Sequence, residues 1–140
     1  MRYRHGRRRV LRFETAAIRG NLCASPDARR DAYGVIRKAF RASVYPGQHL
    51  EYERRHTPIW HELEAQLIGH GVRSYSIYLD PATNDLFGYV EVASEEQWAA
   101  ISSTDVCRRW WRYMRQIMPV RDDDSPVVAD LREVFHLEGS

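Results

Sequence analysis

Two cysteines in 140 residues are too few for a disulfide framework or a cysteine-rich zinc module. No apolar run reaches the roughly 18 residues of a membrane-spanning helix, and the mean hydropathy is −0.57, so the sequence holds no candidate span. Eight glycines and six prolines leave no room for a long low-complexity tract. A glycine-rich phosphate loop is missing, as is a G-x-S-x-G nucleophile turn. No His/Cys/Asp spacing fits zinc, because His56 and His61 stand five apart and sit badly for one helical face. Asp122-Asp123-Asp124 lacks the further, regularly spaced ligands that calcium requires, and it reads as a solvated loop. Cys23 and Cys107 share no motif; Cys107 reads as a small buried residue.

What is present is one domain's worth of chain, with 44% apolar residues and so enough for a core. The net charge of +2 hides an uneven distribution. Residues 1–34 carry nine arginines against three acidic residues, a balance of +6. Residues 35–140 carry 12 basic and 16 acidic residues, a balance of −4. The domain is therefore residues 35–140, preceded by a basic extension over 1–34 that is expected to be disordered or dispensable. The extension has no apolar stretch of secretory length, since Arg12, Glu14 and Arg19 interrupt every candidate. The cytoplasm is the expected location. An acidic domain offers nucleic acid no footprint.

Hydrophobic period gives the elements. Residues 35–44 alternate, with Ile36, Phe40 and Val44 on one face and Arg37 and Arg41 on the other, which predicts a half-buried strand. Pro46-Gly47 ends it. Residues 48–69 read as a helix with Ile59, Leu63 and Leu67 spaced by four. Pro58 should kink or split that helix, with Thr57 capping the second half and Pro58 at its first position. Gly69-His70-Gly71 stops it. Residues 72–80 and 86–93 alternate around a turn and predict a hairpin. Ser94-Glu95-Glu96-Gln97 is a capping-box pattern opening a short helix with Trp98 and Ile101. A further helix opens at Thr104 or Asp105 and ends at Pro119, and residues 131–137 alternate as a last strand. The order βαββαβ predicts an α+β, ferredoxin-like fold: an antiparallel four-stranded sheet with helices on one face. The sheet's other face lacks a cover, and a homodimer of the α/β-barrel type would supply it.

Two groups of residues could carry chemistry. Tyr52 and His56 are four apart, hence neighbours on one helix face, and they combine a phenol with a group that titrates near neutrality. The same spacing also suits a plain surface pair. Trp110 and Trp111 point about 100° apart on a helix, so they cannot share one narrow core stripe. Either that helix packs on two sides or one indole lines a pocket, where it would offer the flat wall on which a sugar's C–H face stacks. Residue chemistry alone reaches a small domain with an aromatic, His-containing pocket. Alternation puts Tyr75 with Ile77 and Leu79 on the helix-facing side of the sheet, which points to a pocket between the helix layer and the sheet.

The longer strings are more specific. IRKAF (36–40), EYERRHTPIWHELE (51–64), YSIYLD (75–80), STDVCRRWWRYM (103–114), DDSPV (123–127) and EVFHL (133–137) resemble the L-rhamnose mutarotase family over about residues 35–138. The resemblance implies a dimeric ferredoxin-like fold and interconversion of the α and β anomers of L-rhamnose at C1, without a metal or organic cofactor. It puts His56 at the family's proton donor and Tyr52, Tyr75, Trp110 and Trp111 at its sugar contacts. It implies a small sugar and a second copy of the chain as partners, with neither nucleic acid nor membrane. Thr57 and His61 depart from the Asn and Pro that are frequent in the family. Val35-Ile36-Arg37-Lys38-Ala39-Phe40 stands in register with the family's Met-Ile-Arg-Lys-Ala-Phe start, so translation from Val35 is expected. Two rival readings remain at this point: a non-catalytic sugar-binding module, and a haem-binding or monooxygenase-type dimer with His56 as a ligand.

Overall fold

The computed structural model describes residues 34–139. The expectations for the basic extension, apart from Gly34, lie outside the described residues. Four strands and four helices follow in the order β1 (Ile36–Ser43), α1 (His49–His56), α2 (His61–Gly69), β2 (Val72–Asp80), β3 (Asp85–Val92), α3 (Glu95–Ile101), α4 (Asp105–Met114) and β4 (Ala129–Leu131). The sheet is antiparallel in the order β2-β3-β1-β4. This is the expected ferredoxin-like arrangement, in which a hairpin strand and a returning strand flank the central pair.

Alternation decides which face is covered. Ile36, Ala42, Leu86, Val90 and Val92 are buried against the helices. From the helix side come Leu63 of α2, Trp98 and Ile101 of α3, and Val106, Trp110, Trp111 and Met114 of α4. Burial of side chains this large contributes about 1.5–3 kcal/mol each relative to exposure. Gly88 faces the same way opposite Phe40, and a Cβ there would overlap the Phe40 ring carbons. That bare backbone is what lets the Phe40 ring lie flat over β3.

Local chemistry sets the helix ends. Ser94 Oγ accepts from Gln97 N at 3.2 Å and opens α3. Thr104 Oγ1 accepts from Cys107 N at 3.3 Å and opens α4, so threonine rather than Asp105 is the cap. Gly71, at φ +85°, turns the chain from α2 into β2, a conformation that costs glycine little.

Three expectations need correction. Residues 48–69 are split at Pro58 into two helices, one of the two outcomes expected there, but the start of the second half is not where it was expected. The second begins at His61 with Trp60 as its N-cap residue, so neither Thr57 nor Pro58 opens it. The Thr57–Pro58 peptide is cis, and Trp60 has extended backbone (φ −54°, ψ 128°). The α4 helix ends at Met114, and residues 115–118 continue as a turn rather than reaching Pro119 in helix. The last strand covers only Ala129–Leu131, paired with Arg41 to Ala39 of β1. Beyond it, Arg37 and Glu133 form a side-chain ion pair at 3.0 Å. Alternation in 131–137 registers side-chain polarity, whereas a strand also needs a backbone partner along its length.

Candidate active site

A cavity of about 850 Å³ lies between the sheet and the helices. All five candidate residues line it: Tyr52 and His56 from α1, Tyr75 from β2, and Trp110 and Trp111 from α4. Tyr52 and His56 are thus not a surface pair. Tyr75 sits on the helix-facing side as its alternation predicts, with its ring 6.2 Å from Phe40, edge-on, and 5.9 Å from Trp98. The two tryptophans resolve their geometric conflict by doing both things that were open to them. Each is under 10% exposed and belongs to the core, and each also walls the cavity.

His56 is the last residue of α1, and its ring is held from three sides. Its Nδ1 lies 2.7 Å from the Tyr52 carbonyl oxygen. A carbonyl can only accept, so Nδ1 carries the hydrogen and Nε2 is the nitrogen left to exchange protons. The Tyr52 ring stacks on the imidazole at 4.2 Å, and Trp110 meets it edge-on at 5.1 Å. Burial among these rings pushes the imidazole pKa below its ordinary value of 6.5, and the bond to the Tyr52 carbonyl opposes that only partly. The resting ring is therefore neutral at pH 7. Burial also raises the Tyr52 and Tyr75 phenols above 10, so both remain protonated hydrogen-bond donors. Cys107, on the same wall, has its thiol pushed up to about 12 by burial, which leaves it inert as a nucleophile.

The aromatic wall is larger than the sequence candidates suggested. Trp60 meets Trp110 edge-on at 5.1 Å and stacks on Tyr113 at 5.2 Å. These two residues back Trp110, which itself abuts His56. Trp60 lies in the segment read as helix, and its wedge position depends on the extended backbone there. Phe40 and Trp98 also line the cavity. Among the described residues, no group of three or more His, Cys, Asp or Glu is placed to hold a metal ion.

The family model for L-rhamnose mutarotase matches residues 37–137. An L-rhamnose mutarotase of Shigella flexneri is 59% identical over 103 residues, covering 74% of this chain and 99% of the relative. One from Escherichia coli K12 is 58% identical over the same length, again covering 74% and 99%. Among solved structures, the L-rhamnose mutarotase of Formosa agariphila superposes with a TM-score of 0.67 at 37% identity, covering 73% of this chain and 98% of that one. A putative antibiotic biosynthesis monooxygenase from Bacteroides thetaiotaomicron superposes at 0.53 with 13% identity, covering 79% and 100%, which is a likeness of fold alone. With a match spanning nearly all of the described domain and relatives near 60% identity, the chain belongs to the L-rhamnose mutarotase family.

Proposed function

We propose that His56 performs the family's anomer exchange on L-rhamnose, with Nε2 as the atom that moves the proton. The observation that carries this is the commitment of Nδ1 to the Tyr52 carbonyl inside an aromatic cavity. Ring opening requires the C1 hydroxyl to lose a proton and the ring oxygen to gain one. Both oxygens are bonded to C1, so one ring nitrogen can serve them in turn. The neutral imidazole takes the O1 proton, and the imidazolium so formed delivers it to the ring oxygen as the C1–O5 bond breaks and the aldehyde forms. Rotation about C1–C2 presents the other carbonyl face, and the steps reverse. His56 is thus a donor only after it has been loaded. A pKa below 6.5 makes the imidazolium the stronger acid and speeds that delivery.

The protonated phenols of Tyr52 and Tyr75 would hold sugar hydroxyls, while Trp110 and Trp111 supply the wall for the C–H face and the C6 methyl. Selection for a methyl in such a pocket is modest, about 10²-fold or less. Exchange measured by NMR across L-rhamnose, L-fucose and L-mannose should therefore fall off gradually, with L-rhamnose fastest. No catalysed exchange of any of the three would overturn the reading.

The pH profile follows from the depressed imidazole pKa. Nε2 is unprotonated above that value, so exchange should be level through neutrality and decline as pH falls through an apparent pKa below 6.5. Between the folded value and the unfolded value of about 6.5 the unfolded chain binds more protons, so the same acid window also lowers stability. A limb centred at or above 7 would contradict the burial argument.

A homodimer fits the uncovered sheet face. Tyr78, Phe87 and Leu131 are 65%, 38% and 40% exposed there, and the chain beyond β4 leaves Val134, Phe135 and Leu137 exposed. Apolar exposure on this scale favours a second copy. Sedimentation should give a mass near twice that of one chain; a monomer at micromolar concentration would remove this part of the reading. Among the described residues no helix is long and apolar enough to cross a membrane.

A further inference from the structure

We propose that Arg55, which does not line the cavity, is the residue that positions His56. The proposal rests on the assignment of His56 given above.

The need for such a residue comes from the helix itself. With eight residues, α1 is too short to be stable alone, and His56 is its last residue, next to a non-helical break. End residues of an isolated two-turn helix fray. Yet the imidazole must keep Nε2 aimed at C1. Something has to fasten the last turn of α1 to a larger body.

Arg55 does so with every part of its guanidinium. Nε donates to Glu51 Oε1 at 2.8 Å within α1. Nη1 donates to the carbonyl oxygen of Tyr113, one of the carbonyls left unpaired at the end of α4. Nη2 donates to Gln116 Oε1 at 3.0 Å. The guanidinium carbon lies 4.0 Å from the Tyr113 ring centroid, a cation–π distance. The side chain is only 8% exposed. Tyr113 in turn stacks on Trp60, Trp60 abuts Trp110, and Trp110 abuts His56. A single planar fork therefore ties the backbone that carries His56 to the same helix that carries its aromatic wall. Lysine cannot copy this, because an ammonium is a point charge without a rigid fork or a stacking plane.

Misplacement of a reacting group by about 1 Å can cost about 10²-fold in rate. In the full chain, Arg55→Lys should lower kcat for L-rhamnose anomer exchange about tenfold or more while KM stays within about twofold, since the sugar contacts are untouched. In a histidine NMR titration, the His56 pKa should rise toward about 6.5 as its wall loosens. Gln116→Ala removes one arm of the fork from an exposed side chain and should move both readouts in the same direction by less, with no loss of fold. His56→Ala is measured beside them. Wild-type exchange in His56→Ala would overturn the underlying reading. Lost exchange there, with wild-type kcat and an unmoved His56 titration in both Arg55→Lys and Gln116→Ala, would overturn the role of Arg55 alone. So would a fall in rate carried by KM.

Discussion

His56→Ala should lower the catalysed rate of L-rhamnose anomer exchange by about 10²–10⁴-fold, the range supplied by one positioned acid–base group. NMR exchange spectroscopy on equilibrated sugar reads this directly, because the spontaneous rate is the baseline. The loss should fall on kcat. Tyr52, Tyr75 and both tryptophans still line the cavity in the variant, so sugar binding should survive. The fold should survive as well, since His56 is only partly buried and its imidazole bonds to a carbonyl within its own helix. His56→Gln is the stricter comparison, since it keeps a hydrogen-bonding side chain but cannot cycle a proton. Exchange within threefold of wild type in either variant would remove His56 from the mechanism.

Trp110→Ala is expected to be the most damaging single change to stability among the site residues. The indole is 8% exposed and packs against three rings: His56, Trp60 and Tyr113. Removing a buried Trp costs about 3–5 kcal/mol in lost transfer energy and residual cavity. For a domain of this size that corresponds to a fall in Tm of roughly 10 °C or more. The same change admits water to the edge of the imidazole, so the His56 pKa should rise toward its ordinary value, and the acid limb of activity should move up with it. A melting temperature within 3 °C of wild type would mean that α4 does not depend on this contact. Trp110→Phe retains an edge for His56 to meet and should recover part of both effects.

Much of this was legible in the sequence, for identifiable reasons. Strand β3 alternates cleanly because one face of the sheet is covered by helices, while in β1 the inward Lys38, paired with Glu95 of α3, breaks the apolar pattern. Ser94 and Thr104 are caps whose chemistry is local, and both act as caps. Tyr52 and His56 could be paired on one face because four residues make about one helical turn. The segment around Pro58 was misread because helical spacing in Ile59, Leu63 and Leu67 continues across the break. The pattern cannot say that Trp60 leaves the helix to wedge against Trp110 and Tyr113. Arg55 was likewise hidden. Its bonds to Tyr113 and Gln116 join parts of the chain about sixty residues apart. Long-range fastening of this kind leaves no periodic trace.

The tether on Nδ1 also bears on the way back. In the mechanism proposed for His56 that nitrogen keeps its hydrogen, so the protein would finish each conversion in the tautomer with which it began, whichever anomer entered. No ring flip or recovery step separates one turnover from the next. Either hand of the sugar at C1 meets an identical catalyst, which can hasten arrival at the sugar's own equilibrium mixture but cannot bias it.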